Sequence, residues 1–450
     1  MSRIVVRPLV RPLQGSVPVP SDKSIGHRSL LFGALSRGAC RVRGFSYGED
    51  NVATLRAFRA MGVTIDDDGK GELTVHGVGL DGLCAPTSDL DCGNSGTTMR
   101  LLAGLLAAQP FSARLTGDAS LSRRPMGRVA RPLRARGASV EGAPHPTRKD
   151  EITAPLVVGP RPEGRLLAGL EYRMPMSSAQ VKSALLLSGL YASDPTVLWE
   201  PLLSRDHTER MLSALGVPID AAGTMVRLSP PSDRKIVPAF DVELPGDLSA
   251  AAFLLVAGAV VPGSAVTARG TGLNPSRAGI LEILRSAGAA LQIEPQGDVL
   301  GEPFGQVTVR GGALRAADVG GEVATRSIDE IPIACALAAR SGGRTVFSDV
   351  GELRVKESDR IARVVEALRA FGLDAVEREE GLEVEGQPEG ALRAARVASD
   401  GDHRIAMTAC VLGLLGDGDT VVEDADCIAT SFPRFVGTLR ALGAELEVQT

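Results

Sequence analysis

Two lysines, Lys23 and Lys356, stand among polar groups at the openings of helix-like segments, in SDKSIGHRS (21–29) and LRVKESDR (353–360). The chain uses lysine sparingly: of 49 basic residues, only those at 23, 70, 149, 182, 235 and 356 are lysine. Lys70, Lys149 and Lys235 fall in polar loop-like stretches where either base would serve. Lys182 lies inside an apolar run, where a lysine snorkels or pairs. Arg124, Arg360 and Arg404 stand at helix starts, where a cation opposes the helix dipole and is unfavourable unless an anion is expected. Asp329 and Glu330 are carboxylates at a similar opening. There they would either move protons or simply steady a helix N-terminus. Anion binding with carboxylates alongside is the chemistry these types and positions offer.

The elements that must position these groups recur. One segment repeats six times as an amphipathic stretch closed by a glycine, at Gly62, Gly137, Gly216, Gly288, Gly372 and Gly443. Its apolar spacing is helical, as in Ile361, Val364, Val365 and Leu368, and the glycine supplies a left-handed C-terminal position. A second segment also occurs six times: a polar cluster followed by a helix apolar nearly all round, as in PGDLSAAAFLLVAGAVVPG and CGNSGTTMRLLAGLLAAQ. A helix without a polar face must be buried on every side. Short strands such as ELTVHGV and GQVTVRG join the two. The pattern predicts an α/β fold with sheets outside and apolar helices inside. Ser24 or Asp22, Asn94, Ser178, Asp247 or Ser249, Asp329 and Asp402 are the expected N-caps. Three such helices packed parallel would bring their N-termini to one face and form an anion site. Lys23, Arg28, Arg100 and Arg404 are charges that capping alone does not require.

Composition narrows the classes. With 450 residues, 44% hydrophobic and 23% charged, the chain has the material for two or three domains with large cores. A net charge of -5 argues against nucleic acid as the main partner. The six cysteines include no CxxC pair, which fits a reducing cytoplasm. The first residues contain no signal-like apolar stretch, and the longest apolar run, 250–261, is too short to span a bilayer. His207 and His403 form no HExxH or other ligand spacing, so they read as orienting groups, with no metal implied. GVGLDG (77–82) satisfies G-x-G-x-x-G, yet LCAPTSDLD follows it with no helical period, so it reads as a turn. Asp66–Asp68 reads as turn chemistry for want of an EF-hand glutamate.

Nine strings in order carry a more specific signal. They are SDKSIGHRS, GNSGTTMR (93–100), RRPMGR (123–128), SSAQVKSA (177–184), RDHTE (205–209), IDE (328–330), LRVKESDR, DHRIAM (402–407) and ATSFPRF (429–435). Together they resemble the 5-enolpyruvylshikimate-3-phosphate synthase family, the 3-phosphoshikimate 1-carboxyvinyltransferases of the enolpyruvyl transferase group. The resemblance implies a two-domain inside-out α/β barrel of six βα units, three per domain, with interior parallel helices. One domain would hold residues 1–18 and 246–450 and the other 19–245, with the active site in the cleft between them. It implies a cytoplasmic, monomeric enzyme acting on 3-phosphoshikimate and phosphoenolpyruvate, with no cofactor, nucleic acid or membrane partner. The shikimate 5-hydroxyl adds to the central carbon of phosphoenolpyruvate, a proton adds to the methylene, and phosphate leaves.

Residue by residue, the resemblance gives Lys23 contact with both substrates and a catalytic role beside Asp329 and Glu357. It gives Ser24 and Arg28 the shikimate hydroxyls and carboxylate. Ser178, Ala179 and Gln180 hold 3-phosphoshikimate, with Gln180 reaching both ligands, and Arg205 holds its phosphate. Gly96, Arg124, Arg360 and Arg404 match phosphoenolpyruvate contacts. Asp329 matches the acceptor of the hydroxyl proton, with Lys356 beside it, and Glu357 the carboxylic acid that serves the methylene. Two departures stand out: Thr430 replaces a lysine common in the family, and Gly96 stands where glyphosate-tolerant members of the similar bacterial branch have alanine. The alternatives are a UDP-N-acetylglucosamine enolpyruvyl transferase and a catalytically inactive anion-binding homologue. The former uses a reactive cysteine in a loop that here reads GDASLSRRPMG, without cysteine.

Overall fold

The six segments without a polar face form six buried helices: α1 (Lys23–Leu35), α2 (Gly96–Leu106), α3 (Ala179–Gly189), α4 (Leu248–Val260), α5 (Ile331–Ala339) and α6 (His403–Gly413). Every residue of α4 is buried, as the sequence of this helix requires. The computed structural model describes residues 2–232 and 237–449, so Lys235 lies outside the described part.

Each amphipathic segment also forms a helix: Glu49–Ala60, Gly127–Ala135, His207–Ala214, Gly279–Ser286, Arg360–Ala370 and Phe435–Ala441. Gly62, Gly137, Gly216, Gly288, Gly372 and Gly443 follow them with φ between 78° and 105°. In all six the residue after the glycine donates its N–H to a carbonyl five residues back, as Val63 does to Phe58 and Leu373 to Leu368. This is the Schellman closure, which satisfies carbonyls a helix end would otherwise strand.

The strands form six four-stranded sheets. Each contains one parallel pair, such as Asp241–Glu243 beside Arg37–Arg43 and Arg396–Ala398 beside Thr420–Glu423. One face of each sheet covers helices, so Leu73 and Val75 in Leu73–Val78 are buried while His76 is exposed. The helices lie inside and the sheets outside, the inside-out α/β arrangement.

The chain divides into two compact units, one of Met1–Pro20, Pro245–Gly297 and Pro303–Thr450, the other of Ser21–Leu244 with Asp298–Glu302. The grouping of Asp298–Glu302 with the second unit has no signal in the sequence pattern. In the first unit α4, α5 and α6 pack on one another. Its first strand, Arg3–Val6, completes a sheet between Thr420–Glu423 and Leu446–Gln449. In the second unit α2 and α3 approach so closely that a Cβ on Gly104 would lie 2.2 Å from the Ala184 carbonyl oxygen.

The expected N-caps are partly revised. Asp22, Asp247 and Asp402 cap α1, α4 and α6 through their side chains. Ser95, not Asn94, caps α2, because the Asn94 side chain is engaged with Asp118 and Arg124. Glu330 rather than Asp329 occupies the cap position of α5, without a capping bond. The glycines of 77–82 turn the chain after strand Leu73–Val78 with no helix following, and the Asp67 and Asp68 side chains accept N–H bonds from their own loop.

Candidate active site

In the Ser21–Leu244 unit, Lys23 is the first residue of α1, and its Nζ lies 2.7 Å from Asp50 Oδ2 on the next helix. Ser24 follows, and its carbonyl accepts a bond from Arg28 Nη1 at 3.0 Å. Arg28 is only 3% exposed. Its Nε and Nη2 donate to the hydroxyls of Thr208 and Ser183, each at 2.8 Å. Burial pulls its pKa down to about 10; Glu209, Glu302 and Asp22 oppose the shift and Arg205 adds to it. Arg205 is therefore close enough for two cations to repel, an arrangement suited to an anion.

A second group gathers at the openings of α2 and α3. Arg100 Nη1 donates to Gln180 Oε1 at 2.5 Å, and the Gln180 amide donates to Thr97 Oγ1 at 2.9 Å. Arg124 lies three residues ahead of the Gly127–Ala135 helix and donates to Asn94 Oδ1 at 2.5 Å. Gly96 faces both cations: a Cβ there would sit 2.7 Å from Arg100 Nη1 and 3.3 Å from Arg124 Nη1. Ser178 holds the cap position of α3 but makes no side-chain cap bond, and Ala179 opens the helix.

In the other unit, three cations and four carboxylates interlock. Arg360 Nε is 2.8 Å from Asp402 Oδ2, its Nη2 is 2.5 Å from Glu357 Oε2 and its Nη1 is 3.5 Å from Asp329 Oδ1. Lys356 Nζ lies 3.7 Å from the same Asp329 oxygen and 3.1 Å from Glu352. Arg404 Nη1 donates to the Asp329 carbonyl at 2.7 Å. Arg360 thus needs no outside anion to sit at its helix start, since its own unit supplies carboxylates. Burial works against the charged guanidinium, but Asp402, Glu357 and Asp329 outweigh it and hold its pKa above the ordinary arginine value. Burial likewise raises the Asp402 pKa, and Arg360 more than reverses it, leaving it low.

Each expected residue thus has a place. Lys23, Ser24 and Arg28 share α1, and Arg28 ties it to α3. Gly96, Arg124 and Gln180 meet through Arg100 and Asn94. Asp329, Lys356, Glu357, Arg360 and Arg404 form one cluster. Thr430 is half-buried at the end of the 3-10 turn Ala425–Thr430. Lys182 pairs, with Nζ 2.7 Å from both Glu200 and Glu209. His207 Nδ1 lies 2.8 Å from Glu302 Oε1. The partners Asp50, Glu200 and Glu209 carried little signal in the sequence, and Asn94 and Asp402 were legible there only as helix caps. A lysine in an apolar helix does announce a buried acid, but not which one.

Comparison with known proteins places the chain in a family. The family model EPSP synthase (3-phosphoshikimate 1-carboxyvinyltransferase) matches residues 9–439. The 3-phosphoshikimate 1-carboxyvinyltransferase of Geobacter metallireducens is 48% identical over 446 residues, 99% of this chain and 100% of that protein. The enzyme of that name from Desulforamulus reducens is 45% identical over 442 residues, 98% of this chain and all of its own. The solved EPSP synthase of Acinetobacter baumannii superposes with a TM-score of 0.88 at 39% identity, with both chains fully covered. With a family match along nearly its whole length and relatives this close, the chain belongs to the EPSP synthase family of 3-phosphoshikimate 1-carboxyvinyltransferases.

Proposed function

We infer that the protein transfers the enolpyruvyl group of phosphoenolpyruvate to the 5-hydroxyl of 3-phosphoshikimate and releases phosphate. The observation that carries this reading is the Asp329, Lys356, Glu357, Arg360 and Arg404 cluster, which combines proton-transfer carboxylates with cations beside them. Both substrates are polyanions, so rigid cationic clamps must hold them before any proton moves.

In this reading Lys23, Ser24, Arg28, Ser178, Ala179, Gln180, Arg205, Asp329 and Lys356 bind 3-phosphoshikimate. Lys23, Gly96, Arg124, Gln180, Arg360 and Arg404 bind phosphoenolpyruvate. Asp329 accepts the proton of the 5-hydroxyl as its oxygen bonds to the central carbon, with Lys356 beside it. Glu357 delivers a proton to the methylene. Glu357, now a carboxylate, takes back a methyl proton as the carbon–oxygen bond to phosphate breaks, which restores the double bond. All these groups come from one chain, so the reading requires no second subunit. Six cysteines without a disulfide fit a reducing cytoplasm.

The test is phosphate release. Protein mixed with 3-phosphoshikimate and phosphoenolpyruvate should liberate inorganic phosphate only when both are present. Replacing 3-phosphoshikimate by UDP-N-acetylglucosamine should give none. Release with the nucleotide sugar, or no release with either acceptor, overturns the reading.

A further inference from the structure

Glu200 follows the strand Thr196–Trp199 and is 5% exposed, yet one carboxylate gathers two separate segments of chain. Its Oε1 accepts the backbone N–H of Ser178 at 3.3 Å, at the opening of α3, and the Ser204 hydroxyl at 2.5 Å. Its Oε2 accepts the Ser204 backbone N–H at 3.3 Å and faces Lys182 Nζ at 2.7 Å. A second stitch joins the same segments: Ser177 Oγ donates to the Leu202 carbonyl at 2.6 Å and accepts the Leu202 N–H at 2.9 Å.

The joined segments are the Ser177–Gln180 turn and the Leu202–Arg205 loop. On the reading proposed above, both segments bind 3-phosphoshikimate, the loop through Arg205 at its phosphate. A buried carboxylate is tolerated here for physical reasons. It sits at a helix N-terminus, its oxygens are filled with donors, and Lys182 balances its charge. Burial alone would lower the Lys182 pKa, but Glu209 and Glu200 outweigh it and leave it raised, so the ammonium is retained. Lys182 also has Glu209 at 2.7 Å, so its charge does not depend on Glu200 alone.

We propose that Glu200 is a positioning residue for the phosphate end of 3-phosphoshikimate. It fixes the spacing between the Ser178–Gln180 turn and Arg205 so that both grip one phosphate. A phosphate held by a helix N-terminus and a separate arginine depends steeply on that spacing, since misplacement by a fraction of an ångström loses one partner. Glu200 touches no substrate; it acts through Ser178, Ser204 and the residue that follows.

The experiment compares wild type, Glu200→Gln and Arg205→Ala with two acceptors, 3-phosphoshikimate and shikimate, the same ring without its phosphate. Glu200→Gln should raise the KM for 3-phosphoshikimate by about 10- to 100-fold, with kcat and the KM for phosphoenolpyruvate at saturating acceptor within about threefold of wild type. Its kcat/KM for shikimate should match that of wild type, because no phosphate grip is there to lose. Equal losses with both acceptors, or a fall in kcat with both KM values unchanged, would mark Glu200 as merely structural and overturn the proposal. If Glu200→Gln does not fold, Ser204→Ala removes only one of the four bonds, and a rise of at least twofold confined to the 3-phosphoshikimate KM is expected; no rise overturns it. Arg205→Ala separates the two levels of the reading. If it raises the KM for 3-phosphoshikimate while Glu200→Gln does not, the positioning role alone fails. If it has no effect, the phosphate assignment beneath it fails as well.

Discussion

Asp329 lies within 3.7 Å of the Lys356 ammonium and 3.5 Å of the Arg360 guanidinium, while its backbone carbonyl is held by Arg404. Its orientation is thus fixed from three directions before any substrate arrives. Asp329→Asn keeps the shape and can still accept bonds from these donors, but its amide cannot take a proton from a hydroxyl. Turnover should fall by about 10²–10⁴-fold while 3-phosphoshikimate still binds with near wild-type affinity, as calorimetry would show. Gly96 poses a different problem, one of space. An alanine methyl there would press on Arg100 Nη1 at 2.7 Å and Arg124 Nη1 at 3.3 Å. Both are ends of flexible side chains, so the fold survives, but Arg100 is also bonded to Gln180 and must loosen that contact to move. Gly96→Ala should raise the phosphoenolpyruvate KM modestly and the inhibition constant of the longer molecule glyphosate by considerably more. The extra carbon costs about 1–3 kcal/mol in a packed site. Equal rises in the two constants would show that the methyl does not discriminate by length.

Helix ends were the most legible elements, and helix starts less so. Each of the six closing glycines stands at a positive φ because only that conformation lets the chain fold back and satisfy the last carbonyls. A local rule was enough to find them. At α2 the same kind of rule chose Asn94 over Ser95, because Gly-Asn-Ser offers two capping residues in succession. The choice was made by Arg124, 30 residues away, which engages Asn94. Lys182 shows the limit again: pairing was legible from a cation in an apolar helix, but Glu200 is 18 residues distant and lies on another element. Two kinds of glycine therefore yield separate predictions. Gly216 has φ of 78° with no atom within 4 Å of an added Cβ, so Gly216→Ala should cost only the left-handed backbone, about 1–2 kcal/mol. Gly104 lies within α2, where a Cβ would meet the Ala184 backbone at 2.2 Å. Gly104→Ala must push two buried helices apart, and its loss should reach or exceed the upper end of about 1–3 kcal/mol. Urea unfolding of both variants checks the order, and equal losses would mean that the helices separate more easily than their packing indicates.

At the scale of the whole molecule, each unit contains a buried histidine whose titration opposes folding. His27, 1% exposed on α1, makes one ring-nitrogen bond to Thr54 Oγ1 at 2.7 Å. Burial pushes its pKa down to about 3; Asp50 resists the shift, while Lys23 and Arg28 add to it. His403, 2% exposed at the start of α6, is pushed down to about 4 by burial, then by Arg404, with Asp402 and Glu357 opposing and Arg360 assisting. Both are therefore neutral in the folded protein and protonate far more readily once unfolded. The folded pKa is the lower one, so the stability they contribute is fully present above the unfolded value of about 6.5 and is lost as pH falls toward the folded values. Below pH 6.5 each should remove about 1.4 kcal/mol per pH unit. Asp402 adds to acid sensitivity only at lower pH, because its depressed pKa acts below the ordinary carboxylate value of about 3.9. In the interval from pH 6.5 to pH 5 the histidines lower stability as pH falls, while Glu209, whose carboxyl pKa burial raises, works in the opposite direction in the Ser21–Leu244 unit. Urea midpoints should fall across it, less steeply in the Ser21–Leu244 unit, and His27→Gln should reduce that unit's fall further while leaving that of the other unchanged. Hydrogen exchange resolved by segment can follow the two units in one experiment. Wild-type protection that is the same at pH 5 and pH 6.5 after correction for intrinsic exchange rates, or an unchanged slope in His27→Gln, would show that these histidines do not set the acid limit.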